Sequence, residues 1–161
     1  MDYFKLFKIK KRSQIDYKLL TNRFYQLQHK YHPDRVIHLS QQKQKDMLKK
    51  SIIINQAYKI LKNPLLRYEY LLSLYGFSLQ NNTHSKHNQK FLIKQFNLSE
   101  RIEKYKKNKN KINKIKLFID SEIKKYQLQI QFELDQKQWH LAINTLYQLS
   151  FYQQKYLDIN K

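Results

Sequence analysis

Apolar side chains recur along this chain at helical intervals, in five or six stretches divided by polar breaks. Over residues 16–31, Leu20, Phe24, Leu27 and Tyr31 fall on one face, with Asp16 placed to cap the start. Pro33 disfavours helical geometry at His32, so this helix is expected to stop near Tyr31. A second helix is expected from Gln41 to Lys62, where Ile54, Ala57, Tyr58 and Leu61 keep the i, i+3, i+4, i+7 pattern. Pro64 restarts the chain, and a shorter helix should run to Tyr75 with Leu65, Tyr68, Leu72 and Tyr75 facing inward and Gly76 as its C-cap. A short opening turn, Tyr3 to Phe7, is expected to pack on these helices.

Residues 77–89 are mostly polar and read as a linker between a first domain, 1–76, and a second, 90–161. Three further helical stretches follow, split at 106–110 and 135–137. In the middle one, Ile112, Ile115, Ile119, Ile123, Tyr126 and Ile130 stay within about 60° of one line. The last places Trp139, Ala142, Ile143, Leu146 and Leu157 on one face. Three helices with short connections predict an antiparallel bundle, so the fold class is all-α in two parts.

The helix at 90–105 carries more apolar surface than a bundle helix needs. Phe91, Leu98, Ile102 and Tyr105 make a sufficient core stripe, lying within about 40° of one another's line. Leu92, Ile93 and Phe96 lie roughly 100–200° away, with Glu100 among them. On the last helix Phe151 sits about 120° from the line through Trp139 and Leu157. An apolar cluster edged by a carboxylate has the composition of a binding patch; the plainer alternative is that this face packs on the first domain.

Composition narrows the classes. One glycine and two prolines leave little room for the tight turns of an all-β fold. The absence of cysteine excludes disulfides and thiolate metal sites. There is no Gly-rich phosphate loop, no nucleophile–His–acid pattern and no metal-ligand spacing beyond His84 and His87, a pair without a third ligand. Neither an enzyme nor a bound cofactor is expected. No apolar run approaches the roughly 18 residues of a membrane span, and the start at Met1-Asp2-Tyr3-Phe4 does not read as a secretory signal, so a cytoplasmic protein is expected. The net charge of +20 raises nucleic acid as a partner. Against that, the charge is spread evenly, +11 over residues 1–76 and +9 over 77–161, and only five of the 32 basic residues are Arg, the side chain that forks onto phosphate. Abundant Lys, Asn, Ile and Tyr are the mark of AT-rich coding, and nucleic-acid binding is disfavoured.

His32-Pro33-Asp34 between two long helices carries the sharpest signal. By itself it could be an ordinary helix-ending turn. In context, Met1-Asp2-Tyr3-Phe4, Tyr31-His32-Pro33-Asp34, Ile54-Asn55-Gln56-Ala57-Tyr58 and Arg67-Tyr68-Glu69-Tyr70-Leu71-Leu72 resemble the HscB family, J-domain co-chaperones of iron–sulfur cluster assembly. The likeness continues through Gly76-Phe77 and Phe91-Leu92.

The resemblance implies a J-domain followed by a three-helix bundle, and a partner chaperone of the HscA/DnaK type whose ATPase is stimulated through His32, Pro33 and Asp34. Asp34 would accept a bidentate pair from a chaperone arginine, Pro33 would stiffen the loop, and His32 would offer a ring donor. Arg23 and Lys30, near the solvent side of the preceding helix, would meet an acidic chaperone surface, with His29 and Lys18 as further candidates. The resemblance also implies that Leu92, Ile93, Phe96, Glu100 and Phe151 hold an IscU-like cluster scaffold. Asn97 and Lys104 depart from the family, which usually has acidic residues there. A J-protein with another client shares every feature of the first domain, and the oligomeric state is left open.

Overall fold

The computed structural model describes residues 1–81 and 88–161. The described residues are helical, without a strand. In chain order the helices are α1 (Tyr3–Leu6), α2 (Tyr17–Lys30), α3 (Pro33–Val36), α4 (Gln41–Lys62), α5 (Pro64–Ser73), α6 (Gln89–Tyr105), α7 (Lys109–Asp135) and α8 (Trp139–Ile159). They fall into two compact units, Met1–Tyr70 and Leu71–Lys161.

Short polar side chains start most of these helices. Asp2 and Asp16 accept the backbone N–H of Phe4 and Leu19, both at 2.9 Å. Asn63, Asn88 and Asn108 do the same for Leu66, Phe91 and Lys111. Each satisfies one of the orphan donors that open a helix.

In the first unit α2 and α4 form an antiparallel hairpin. Phe24 and Tyr58 stack with centroids 4.0 Å apart, the Thr21 and Tyr58 hydroxyls lie 3.2 Å apart, and Gln28 donates to Asn55 at 2.9 Å. Partners rise on one helix as they fall on the other. Leu20, Ile54, Ala57 and Leu61 are buried, as their spacing predicts, and Phe4 and Phe7 close the same core. Arg67 is buried with them. Its guanidinium donates to the carbonyls of Ser13 and Leu61 at 2.8 and 2.6 Å and to the Tyr17 hydroxyl at 3.2 Å, and it lies over the Tyr17 and Tyr68 rings. The Leu61 carbonyl is one of the unpaired acceptors ending α4, where a cation is favoured.

In the second unit the segment after α5 closes as a Schellman turn. Phe77 N–H reaches the Leu72 carbonyl at 3.0 Å and Gly76 N–H the Ser73 carbonyl at 3.1 Å, with Gly76 at φ 84°. The expected helix therefore ends at Ser73, and Tyr75 sits in the closing turn. Tyr75 is 44% exposed rather than inward, and its ring stacks on Trp139 with centroids 4.0 Å apart. The expected linker begins with Phe77, edge-on to His140; positions 82–87 lie outside the described residues.

Helices α6, α7 and α8 form the bundle. Ile115, Ile119, Tyr126 and Ile130 of α7 are buried against an antiparallel α8, as shown by Tyr126 on Tyr152 and Gln129 on Thr145. The α8 line needs correction: Ala142, Ile143 and Leu146 are buried, but Leu157 is 58% exposed, and Leu149 and Tyr152 extend the core instead. Leu157 lies 18 residues, five full turns, beyond Trp139 and so at the same angle, but it stands in the last turn of α8, and angle does not set depth.

Candidate functional site

His32-Pro33-Asp34 joins the two arms of the hairpin, and the segment is more structured than the expected loop. Tyr31 caps the C-terminus of α2, and Pro33 takes the first position of the one-turn helix α3, where a missing N–H costs nothing. His32 is the cap of α3: its Nδ1 accepts the Asp34 N–H at 3.3 Å. Asp34 itself is not a cap. Its carboxylate stands 81% exposed, with one oxygen 3.5 Å from His32 Nδ1. Nδ1 cannot accept from the Asp34 N–H and donate to the carboxylate together. The shorter contact defines the cap, leaving Nε2–H to face solvent and the Asp34 oxygens open for an outside donor.

Gln44, a residue the sequence pattern did not single out, holds the segment after α3. Its amide donates to the carbonyls of Ile37 and Leu39 at 3.1 and 2.9 Å. Val36 is buried beneath, while Ile37 and Leu48 are 63% and 54% exposed along a groove of about 520 Å³ that Pro33 and Tyr31 also line. Apolar surface and a free carboxylate thus lie side by side.

The basic candidates on α2 separate. Lys18, His29 and Lys30 are exposed, and the Lys30 and Lys50 ammoniums each lie 5.5 Å from the Tyr31 ring centroid. Arg23 does not stand at the solvent side as expected. It is half-buried, donating from Nη1 to Gln26 at 3.3 Å, with its Nε buried and unpaired among the described residues.

On α6 the two apolar faces divide as their spacing predicts. Phe91 and Leu98 are buried, whereas Leu92, Ile93 and Phe96 are 42%, 61% and 68% exposed, with Glu100 exposed among them. Phe151 is placed differently. It is half-buried, edge-on to Phe91 at 5.7 Å and to Tyr152 at 5.3 Å, and supports the base of α6 rather than standing free. Beneath them Tyr152 is buried, and desolvation, helped by Tyr126 and Glu122, pushes its hydroxyl far above the ordinary phenol range. It stays a neutral packing residue.

Among the described residues no three His, Cys, Asp or Glu side chains gather closely enough to hold a metal, and no helix is long and apolar enough to cross a membrane. His84 and His87 lie outside the described residues.

Known proteins share this arrangement. A family model described as the HSCB C-terminal oligomerisation domain matches residues 87–155. The chaperone HscB from Vibrio cholerae is 28% identical, with a TM-score of 0.87 over 99% of this chain and 96% of that one. The crystal structure of human co-chaperone protein HscB gives 26% identity and a TM-score of 0.91, over 99% of this chain and 81% of that one. The Jac1 co-chaperone from Saccharomyces cerevisiae, at 21% identity and a TM-score of 0.76 over 98% of this chain and 89% of that one, shares the fold. The bundle is matched by this family model and the whole chain superposes on HscB structures, so the chain is similar along its length to the HscB co-chaperones.

Proposed function

We propose that the protein stimulates the ATPase of an HscA/DnaK-type chaperone through His32-Pro33-Asp34 and brings to it an IscU-like scaffold carrying an iron–sulfur cluster. Residues 1–76 act as the J-domain and residues 90–161 as the scaffold-binding bundle. The observation that carries the reading is the Asp34 carboxylate, 81% exposed at the turn between α2 and α4, with His32 spent on capping α3. A carboxylate held on a short rigid helix can take a bidentate arginine pair at little entropic cost, and such charge-assisted pairs are the strong ones. Lys30, His29 and Arg23 on α2 supply positive charge toward an acidic chaperone surface, Arg23 from a half-buried position. On α6, Leu92, Ile93 and Phe96 offer the apolar anchor for the scaffold, with Glu100 at its edge and Phe151 behind Phe91. The protein works by bringing two partners together; the chemistry of ATP hydrolysis belongs to the chaperone and the cluster is cargo.

Asp34→Asn tests the mechanism, because it removes the charge and keeps the size of an exposed side chain. Steady-state ATP turnover of the cognate chaperone should fall to its unstimulated rate, with the helical circular dichroism unchanged. Full stimulation by the variant sinks the mechanism.

A further inference from the structure

A groove of about 310 Å³ runs along the other edge of α6, between it and α7. Its walls carry Lys94, Asn97 and Arg101 from α6 and Phe118 and Lys125 from α7. Three cations therefore face one cleft. A single carboxylate lines it, that of Glu122, and it is engaged within the fold: Lys125 Nζ lies 3.6 Å away and the Tyr152 hydroxyl hydrogen-bonds to it. Lys94 and Arg101 have no ion-pair partner among the described residues. The Arg101 guanidinium lies 5.9 Å from the centroid of the Phe118 ring, which is 40% exposed, so its flat face is held and its N–H edge is left open.

The groove is continuous with the exposed apolar face. Ile93, Asn97 and Arg101 follow one another at i, i+4 spacing, where side chains on a helix are neighbours. Ile93 belongs to the patch with Leu92 and Phe96, and Arg101 to the groove. One ridge of α6 thus passes from an apolar anchor to an unpaired guanidinium. Glu100 and Glu103 continue the line of the apolar face itself, away from the groove, and Glu103 is taken by Lys106.

We infer that this groove receives carboxylate side chains of the same protein partner that seats on Leu92, Ile93 and Phe96, Lys94 and Arg101 being the groups that pair with them. The inference rests on the proposed docking role of α6 and adds the partner's chemistry: an apolar patch bordered by acidic residues. Charge complementarity carries it, since two unpaired cations over a partly apolar floor attract a carboxylate strongly and reject a basic surface. A polyanion is less well suited, because the cations are confined to a short cleft with the Glu122 carboxylate inside it, not strung along a track.

The test uses the full chain and an IscU-like scaffold protein from the same organism, titrated calorimetrically at low and moderate salt. Lys94→Glu with Arg101→Glu should weaken scaffold binding by roughly tenfold or more and remove most of its salt dependence, with the melting temperature and scaffold-free ATPase stimulation unchanged. Should the reversed pair fold poorly, Lys94→Gln with Arg101→Gln must still flatten the salt dependence. If the charge variants bind like the wild type while Leu92→Ala with Phe96→Ala does not, the groove is not a carboxylate site and the docking reading stands. If neither pair changes binding, both are wrong. A parallel titration with single-stranded and duplex oligonucleotides completes it: tight binding lost in the charge variants, with scaffold binding untouched, makes the groove a nucleic-acid site and overturns the inference.

Discussion

Arg67 Nη1 donates to the carbonyl of Leu61 at 2.6 Å, joining the start of α5 to the end of α4 with a buried cation whose partners are backbone oxygens and the Tyr17 hydroxyl, with no ion-paired carboxylate among the described residues. Such a site tolerates truncation badly, because the carbonyls of Ser13 and Leu61 would lose their buried cationic donor. Arg67→Met should destabilise the first unit by roughly 2–4 kcal/mol, read as a lower urea midpoint. Lys in its place should recover only a minor part, since an ammonium cannot reach Ser13, Leu61 and Tyr17 with one planar fork. Midpoints unchanged in both variants would mean that the hydrogen bonds contribute nothing net.

Lys137 occupies the left-handed region at φ 57° in the turn from α7 to α8, a conformation that suits glycine. It is the pivot of a Schellman turn, with Gln138 N–H on the Glu133 carbonyl at 2.8 Å and Lys137 N–H on the Leu134 carbonyl at 3.1 Å. Lys137→Gly should therefore stabilise the bundle, by about 0.5–1 kcal/mol, even though glycine usually weakens a helical segment. A drop in the thermal midpoint of the variant would show that the Lys side chain contributes more than the strain costs.

Asp2 caps α1 and pairs with Lys11 at 2.7 Å, its side chain only 15% exposed. Burial alone raises its pKa, but the Lys11 hydrogen bond and the Phe4 N–H outweigh it, and the net shift is downward. A carboxyl whose folded pKa is depressed adds stability above its unfolded pKa, and that contribution is lost as pH falls through the folded value. Unfolding monitored between neutral pH and about pH 2 should thus show an acid limb below the ordinary carboxylate range near 3.9 that is shallower in Asp2→Asn. An identical limb in the variant would assign the acid sensitivity to other carboxyls.

The helices were legible because their apolar spacing is strong and their ends are chemically marked. Gln41–Lys62 is found at the expected bounds, with polar residues before it and Asn63-Pro64 after it. The division of α6 into buried Phe91 and Leu98 against exposed Leu92, Ile93 and Phe96 also follows from periodicity. What spacing could not give is which hydrogen bonds a polar side chain makes. Arg67 stands in a stretch that carries the resemblance, yet its spacing does not show it as a buried donor to backbone carbonyls, and Gln44 reads like any glutamine on a solvent face. The turns at Lys8 and Lys137 carry no glycine to announce them, although both have positive φ. Helix α3 was missed because a proline after a helix reads as a break, while here it opens the next turn. For Arg23 and Phe151 the sequence offers an angle and a resemblance, and neither says how deep a neighbouring helix makes a position.

Leu92 and Phe96 bear the proposed docking role together, one turn apart on the exposed side of α6. Both point away from Phe91 and Leu98, which fill the bundle core, so truncating them opens no cavity. Leu92→Ala with Phe96→Ala should leave the thermal midpoint within about a degree or two, because surface substitutions away from structural features usually stay within roughly 0.5 kcal/mol. Were the pair core, each truncation would cost roughly 2–5 kcal/mol and the melt would fall steeply. Binding is expected to respond in the opposite sense. Anchors central to an interface cost about 1 kcal/mol or more apiece when cut to alanine, so scaffold affinity should fall by at least about thirtyfold for the pair if their effects add. Chaperone ATPase stimulation measured without scaffold should remain, since the contact proposed for it, at Asp34, lies in the other unit. Thermal melting and calorimetry on the same variant separate the outcomes: a collapsed melt makes this face core, and an unmoved melt with unmoved affinity means that the scaffold seats elsewhere.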